Sequence, residues 1–193
     1  MKKSFVLLLA IFSLAIFGLS AQAQIKIGDK VENFTLSDTN GSEKSFNSLK
    51  GTKGTIVVFL SAQCPVVKAY NERINKIYSD YSSKGVSIVG INSNATESLS
   101  WVKSHADEHY KFSVLIDKGN VIADKFNASS TPEVLFFDKD GKLAYRGAID
   151  NDKFGENITM NYLRDALDAN LAGKEITKND TKAIGCTIKR IEN

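Results

Sequence analysis

Thr55-Ile-Val-Val-Phe-Leu-Ser-Ala-Gln-Cys-Pro-Val-Val-Lys68 is the stretch whose reading decides the fold. Its unbroken apolar run, Ile56 to Leu60, suits a strand covered on both faces. Pro65 then stands where a helix accepts proline, in the first turn, because the missing N–H would have no partner there. Cys64 is therefore expected at a helix N-terminus. The unpaired N–H groups and the positive end of the helix dipole favour a thiolate there, which makes Cys64 a candidate nucleophile. The plainer reading is a buried, inert cysteine.

Outward from this stretch, the pattern alternates. Val67, Tyr70, Ile74, Ile77, Tyr78 and Tyr81 recur at spacings of three and four, which gives one apolar helical face. Lys84-Gly85 stops that helix, with glycine free to take the left-handed cap. Val86–Ile91 reads as a second buried strand, so strand, helix and strand form a βαβ unit with parallel strands. Upstream, Val31–Leu36 is expected as a first strand, Asp38–Gly41 as a turn and Ser45–Leu49 as a helical turn. Downstream, Ser98–Tyr110 reads as a helix, Ser113–Ile116 as a strand and Asn120–Phe126 as a short helix. Ala128–Pro132 is expected as a turn, followed by a hairpin of Glu133–Asp138 and Lys142–Arg146 around Lys139-Asp-Gly141. Asn157–Ala172 is predicted as a final amphipathic helix. Alternating elements closed by an antiparallel hairpin and a helix predict a three-layer α/β/α sandwich on a mixed sheet.

The chain has 193 residues, which fits one domain with attachments. Residues 24–173 are assigned to that domain and 174–193 to a polar tail whose apolar island is Ile184-Gly-Cys186-Thr-Ile188. Residues 1–23 differ in kind. Lys2 and Lys3 precede an apolar run from Phe5 to Leu19, and Ala21-Gln-Ala23 follows. This is the pattern of a secretory signal peptide cut after Ala23, with an uncleaved anchor, and hence membrane attachment, as the alternative. Removing it takes two lysines from the 25 basic residues and leaves 23 against 22 acidic ones. No basic field remains to suggest nucleic acid. The expected location is an oxidising one, a bacterial periplasm or cell envelope, where the two cysteines can pair or exchange.

With these residues in place, the sequence resembles the thioredoxin fold. The likeness rests on strand–Cys64–helix and on Thr131-Pro132 leading into Val-Leu-Phe-Phe-Asp-Lys-Asp-Gly. In particular it resembles the redoxin branch, the alkyl hydroperoxide reductase/thiol-specific antioxidant group, which carries a helix–strand insertion where Ser98–Ile116 stands here. The resemblance runs from about Ile27 to Leu171, and it implies a thioredoxin-like three-layer sandwich with that insertion. It also implies that Pro132 is cis and faces Cys64, leaving the backbone of Thr131 free to pair with a bound peptide. Pro65 would border the same site.

Departures from the family patterns define the open questions. The second cysteine of a Cys-x-x-Cys pair is replaced by Val67. Ser61 stands three residues before Cys64, where peroxiredoxins place a hydroxyl, but Val57 replaces their proline. The arginine that would stabilise a thiolate and a peroxide has no counterpart at Pro132, although Arg73 or Arg146 could supply one. Cys186 is read in three ways: resolving cysteine, half of a structural disulfide, or unpaired. His105 and His109 share a helix face, but no third ligand is evident, so no metal or other cofactor is expected. Asn-x-Ser/Thr at Asn40, Asn94, Asn127, Asn157 and Asn179 matters only in a host that glycosylates.

The sequence thus predicts an exported thiol–disulfide oxidoreductase. Cys64 acts as nucleophile, Cys186 or an external thiol regenerates it, and Ser61, Thr131, Pro132 and Pro65 shape the site. Its substrate is expected to be a protein disulfide or a hydroperoxide, with an external thiol as reductant. A peroxiredoxin-like peroxidase and a non-catalytic binding module on the same fold are the alternatives.

Overall fold

A computed structural model describes residues 24–191. The expected signal peptide, residues 1–23, lies outside the described residues. At the centre is β3 (Gly54–Leu60), which pairs in parallel with β4 (Val86–Asn92) and antiparallel with β7 (Glu133–Asp138). Around these three, β1 (Thr35–Asp38), β2 (Glu43–Ser45), β5 (Val114–Ile116) and β8 (Leu143–Gly147) complete a mixed seven-stranded sheet in the order β2-β1-β5-β4-β3-β7-β8.

All seven residues of β3 are buried, as the apolar run requires. Successive side chains on a strand point to opposite faces. Ile56, Val58 and Leu60 accordingly join one apolar cluster, with residues of α2 (Pro65–Ser82), α3 (Leu99–His109) and α5 (Tyr162–Leu171). Val57 and Phe59 join the other, with Phe46 of α1 (Phe46–Leu49) and Ile122 and Ala123 of α4 (Val121–Lys125). Each fully buried Ile, Val or Phe contributes about 1.5–3 kcal/mol over exposure. The result is the expected three-layer sandwich, with α3 and β5 as the inserted pair.

The tail is the less predictable part. Thr181 lies along β8, its N–H donating to the Arg146 carbonyl. Further on, β9 (Cys186–Thr187) pairs antiparallel with β6 (Ser130–Thr131), Cys186 opposite Thr131. The chain then crosses the end of β4, where Lys189 exchanges hydrogen bonds with Asn94 and Ala95.

Three expectations need correction. The first strand begins at Thr35 rather than Val31. Residues 128–132 do not form a simple turn, because Ser130 and Thr131 are a strand with a partner 55 residues away. The final helix begins at Tyr162, not Asn157. Ahead of it, the Asp152 carboxylate accepts N–H groups of Phe154, Gly155 and Asn157. Asn151 Oδ1 accepts those of Thr159 and Met160. These side chains satisfy the loop's amides without helix formation.

Candidate active site

Cys64 is the N-cap of α2, with Pro65 in the first turn. The turn that delivers it from β3 is held by one carboxylate. Glu97 Oε1 accepts from Ser61 Oγ at 2.5 Å and Gln63 N at 3.0 Å, and Oε2 from Ala62 N at 2.9 Å and Asn92 Nδ2 at 2.6 Å. Ser61 Oγ in turn accepts the Cys64 N–H at 3.0 Å. The serine therefore fastens the backbone of the turn, and its hydroxyl is committed to Glu97.

The opposite wall is the Thr131-Pro132 bond, which is cis. The Thr131 carbonyl oxygen lies 3.3 Å from Cys64 Sγ. This wall also rests on a carboxylate. Glu133 accepts the N–H groups of Ser129 and Ser130 at 2.9 and 3.1 Å and pairs with Arg146 at 3.2 Å.

Cys64 and Cys186 form a disulfide across a separation of 122 residues. Cys64, read from the sequence as an attacking group, is only 3% exposed in this oxidised form, where its sulfur is bonded to Cys186. Cys186 is half-buried, while Gly185, Thr187 and Pro65 are exposed. Gly185 is required by close approach, since a Cβ there would lie 2.1 Å from the Thr131 oxygen. Of the predicted residues, Cys64, Cys186, Thr131 and Pro132 thus meet at one point, with Ser61 one layer behind and Pro65 at the rim.

The arginines are occupied elsewhere. Arg73 pairs with Asp150 at 2.6 Å and donates to the carbonyls of Asp152 and Lys153. Arg146 pairs with Glu133 and donates to Phe126 and Asn127. Burial, and then Asp150, which accepts its hydroxyl, push the ionisation of Tyr70 upward. The rings of His105 and His109 meet edge to face on α3, with centroids 4.5 Å apart. Among the described residues, no group of three or more His, Cys, Asp or Glu could hold a metal ion. Burial holds the His105 pKa below its ordinary value, reinforced by His109 and Lys68 and opposed by Glu97 and Glu108.

Glu97 and Glu133 are not singled out by the sequence. Glu97 is an acid in a polar loop after a strand, and Glu133 opens a strand, positions that acids often occupy without a role. Only a partner distant in sequence distinguishes them.

A disulfide joining a helix N-cap to a segment paired beside a cis-proline defines a thioredoxin-fold thiol oxidoreductase. The chain belongs to the AhpC/TSA family, whose model matches residues 27–146. It is 31% identical over 121 residues to a thiol-disulfide oxidoreductase ResA of Bacillus cereus, covering 62% of this chain and 68% of that protein. Among solved structures, a hypothetical protein of Sinorhizobium meliloti 1021 superposes with a TM-score of 0.80 at 30% identity, covering 89% of this chain and 98% of that one. The peroxidoxin BcpB of Mycobacterium tuberculosis, at 19% identity and a TM-score of 0.61 over 78% of this chain and 98% of that one, shares the fold.

Proposed function

We propose that the protein carries out thiol–disulfide exchange through Cys64 and Cys186. The observation that carries this reading is the Cys64–Cys186 bond itself, seated at a helix N-terminus beside the cis-proline. In the reduced protein, the Cys64 thiolate attacks one sulfur of a substrate disulfide. A mixed disulfide forms on Cys64, and the first substrate thiolate leaves. Cys186, as thiolate, then attacks Cys64 Sγ, forming the intramolecular disulfide and expelling the second substrate thiolate. The substrate gains two electrons, and the protein loses two. An external thiol reductant returns them. The naming of the Bacillus cereus relative supports this chemistry. The two committed arginines and the engaged Ser61 hydroxyl weigh against rapid peroxide reduction, which needs a cation and a free hydroxyl at the peroxide. The N-terminal pattern supports action in an oxidising compartment outside the cytoplasm.

The test counts thiols. Pre-reduced, desalted wild type is mixed with glutathione disulfide, and released glutathione is measured. Wild type is expected to release two equivalents and form the Cys64–Cys186 bond. Cys186→Ser stops after one, with glutathione on Cys64, and Cys64→Ser releases no second equivalent. Undiminished release by Cys64→Ser would overturn the assignment. The same proteins with hydrogen peroxide measure the peroxidase alternative.

A further inference from the structure

The reaction above leaves open what kind of disulfide reaches Cys64, and the tail bears on that. In this structure, the segment that brings a sulfur to Cys64 does so by strand addition. Cys186 pairs with Thr131, and the flanking Ile188 N–H donates to the Ser129 carbonyl at 2.9 Å. An extended polypeptide presenting its own cysteine would need that same edge. The edge is already taken by a segment of this chain.

The disulfide is only one of the bonds that hold this segment. Ile188 is buried in the apolar cluster of Val57, Phe59 and Ala128. Lys189 N donates to Asn94 Oδ1 at 2.9 Å, and the Lys189 carbonyl accepts Ala95 N–H at 2.9 Å. Arg190 pairs with Asp124 at 2.9 Å and donates to the Ala128 carbonyl at 2.8 Å. None of these contacts depends on sulfur oxidation state. A tethered segment also competes at a millimolar or higher effective concentration, which a free polypeptide does not match.

Resting on the thiol–disulfide reading, we propose that the tail stays docked in the reduced protein and that its substrate is a low-molecular-weight disulfide. Polypeptide disulfides are excluded by occupancy of the Thr131 edge. Beside the Cys64 turn lies a shallow depression open to solvent, lined by Ala62, Gln63, Lys68, Trp101, Ser104 and His105 among others, none of them from the tail. The docked Cys186 then closes the cycle. A small disulfide leaves a mixed disulfide on Cys64, which the neighbouring Cys186 thiolate displaces. Two thiols depart, and the backbone pairing of β9 is kept while the Cys186 side chain turns aside to admit the disulfide.

The experiment compares the oxidation rates of pre-reduced full-length protein by glutathione disulfide and by insulin, read by alkylation and mass. Each rate is divided by that of dithiothreitol to remove intrinsic reactivity. Wild type is expected to favour glutathione disulfide by about tenfold or more, the size of effect that losing a competing docked segment can produce. In Gly185→Ala the new methyl meets the Thr131 backbone, the tail lifts, and the insulin-to-glutathione ratio rises by a comparable factor. Ile188→Ala, which loosens the same segment at a different contact, moves the ratio the same way. Amide exchange on the reduced wild type adds a direct reading, with Ile188, Lys189 and Ala95 staying protected. An unmoved ratio in both variants, or loss of that protection on reduction, overturns the inference and leaves exchange chemistry standing. If neither disulfide oxidises Cys64, the parent reading falls instead.

Discussion

Four donors converge on Glu97, two to each oxygen. A neutral amide cannot replace it. Whichever way glutamine is turned, its NH₂ group faces at least one N–H donor, Gln63 on one side or Ala62 and Asn92 on the other, whose proton is left without an acceptor. Glu97→Gln is therefore expected to destabilise the protein by about 2 kcal/mol, the cost of unpaired donors in a partly buried site. Urea denaturation of both oxidised proteins checks this, and an unchanged midpoint would show that the turn is held without the carboxylate. At this scale the sequence is half legible. Cys64 and Pro132 announce themselves through the dipeptides and strands around them. Glu97 and Glu133 do not, because a carboxylate that holds a distant turn leaves no local spacing to read.

Elements with a strong period are legible to within a residue or two. The α2 helix is the clearest case, since its buried face of Val67, Tyr70, Ile74, Ile77 and Tyr81 is the apolar face read from the sequence. Elements made by distant pairing are not legible. The β6 and β9 strands are two residues each, too short to show alternation, and each exists through the other. The α3 helix carries a prediction of its own. His105 has a lowered pKa in the folded protein, chiefly through burial. The unfolded chain therefore binds a proton that the folded chain resists, and stability falls as pH drops through about 6.5, the ordinary histidine value, toward the lowered one. Above that window its contribution is complete. His105→Gln should flatten the stability profile between about pH 7 and 5. A slope identical to wild type in denaturation series across that range would assign the acid sensitivity elsewhere.

For the molecule as a whole, the disulfide closes a loop that contains most of the domain. Chain-entropy arguments give such a cross-link about 4–5 kcal/mol against the unfolded state, with smaller values where the reduced chain retains structure. Denaturation with and without reductant is expected to show the oxidised form more stable by up to that amount. Coincident transitions would mean that the bond constrains nothing that the reduced fold does not. The three-layer order is readable from alternation alone, because each layer leaves its own hydrophobic period. The path of residues 174–191 is not, because a polar strap is shaped by the surface it crosses.

One stretch of that strap has a separate consequence. Asn179 to Thr181 lies along β8, with Arg146 N–H donating to the Asn179 carbonyl and Thr181 N–H to that of Arg146. Gly147 admits it, since a Cβ there would lie within bonding reach of the Thr181 oxygen. The β8 edge of the seven-stranded sheet is thus covered at Arg146 by its own chain. Bare strand rims are templates for stacking one molecule on the next. The same ribbon that brings a sulfur to Cys64 also occupies this point of the β8 edge, so one polar segment serves both the redox site and the guarding of a strand rim.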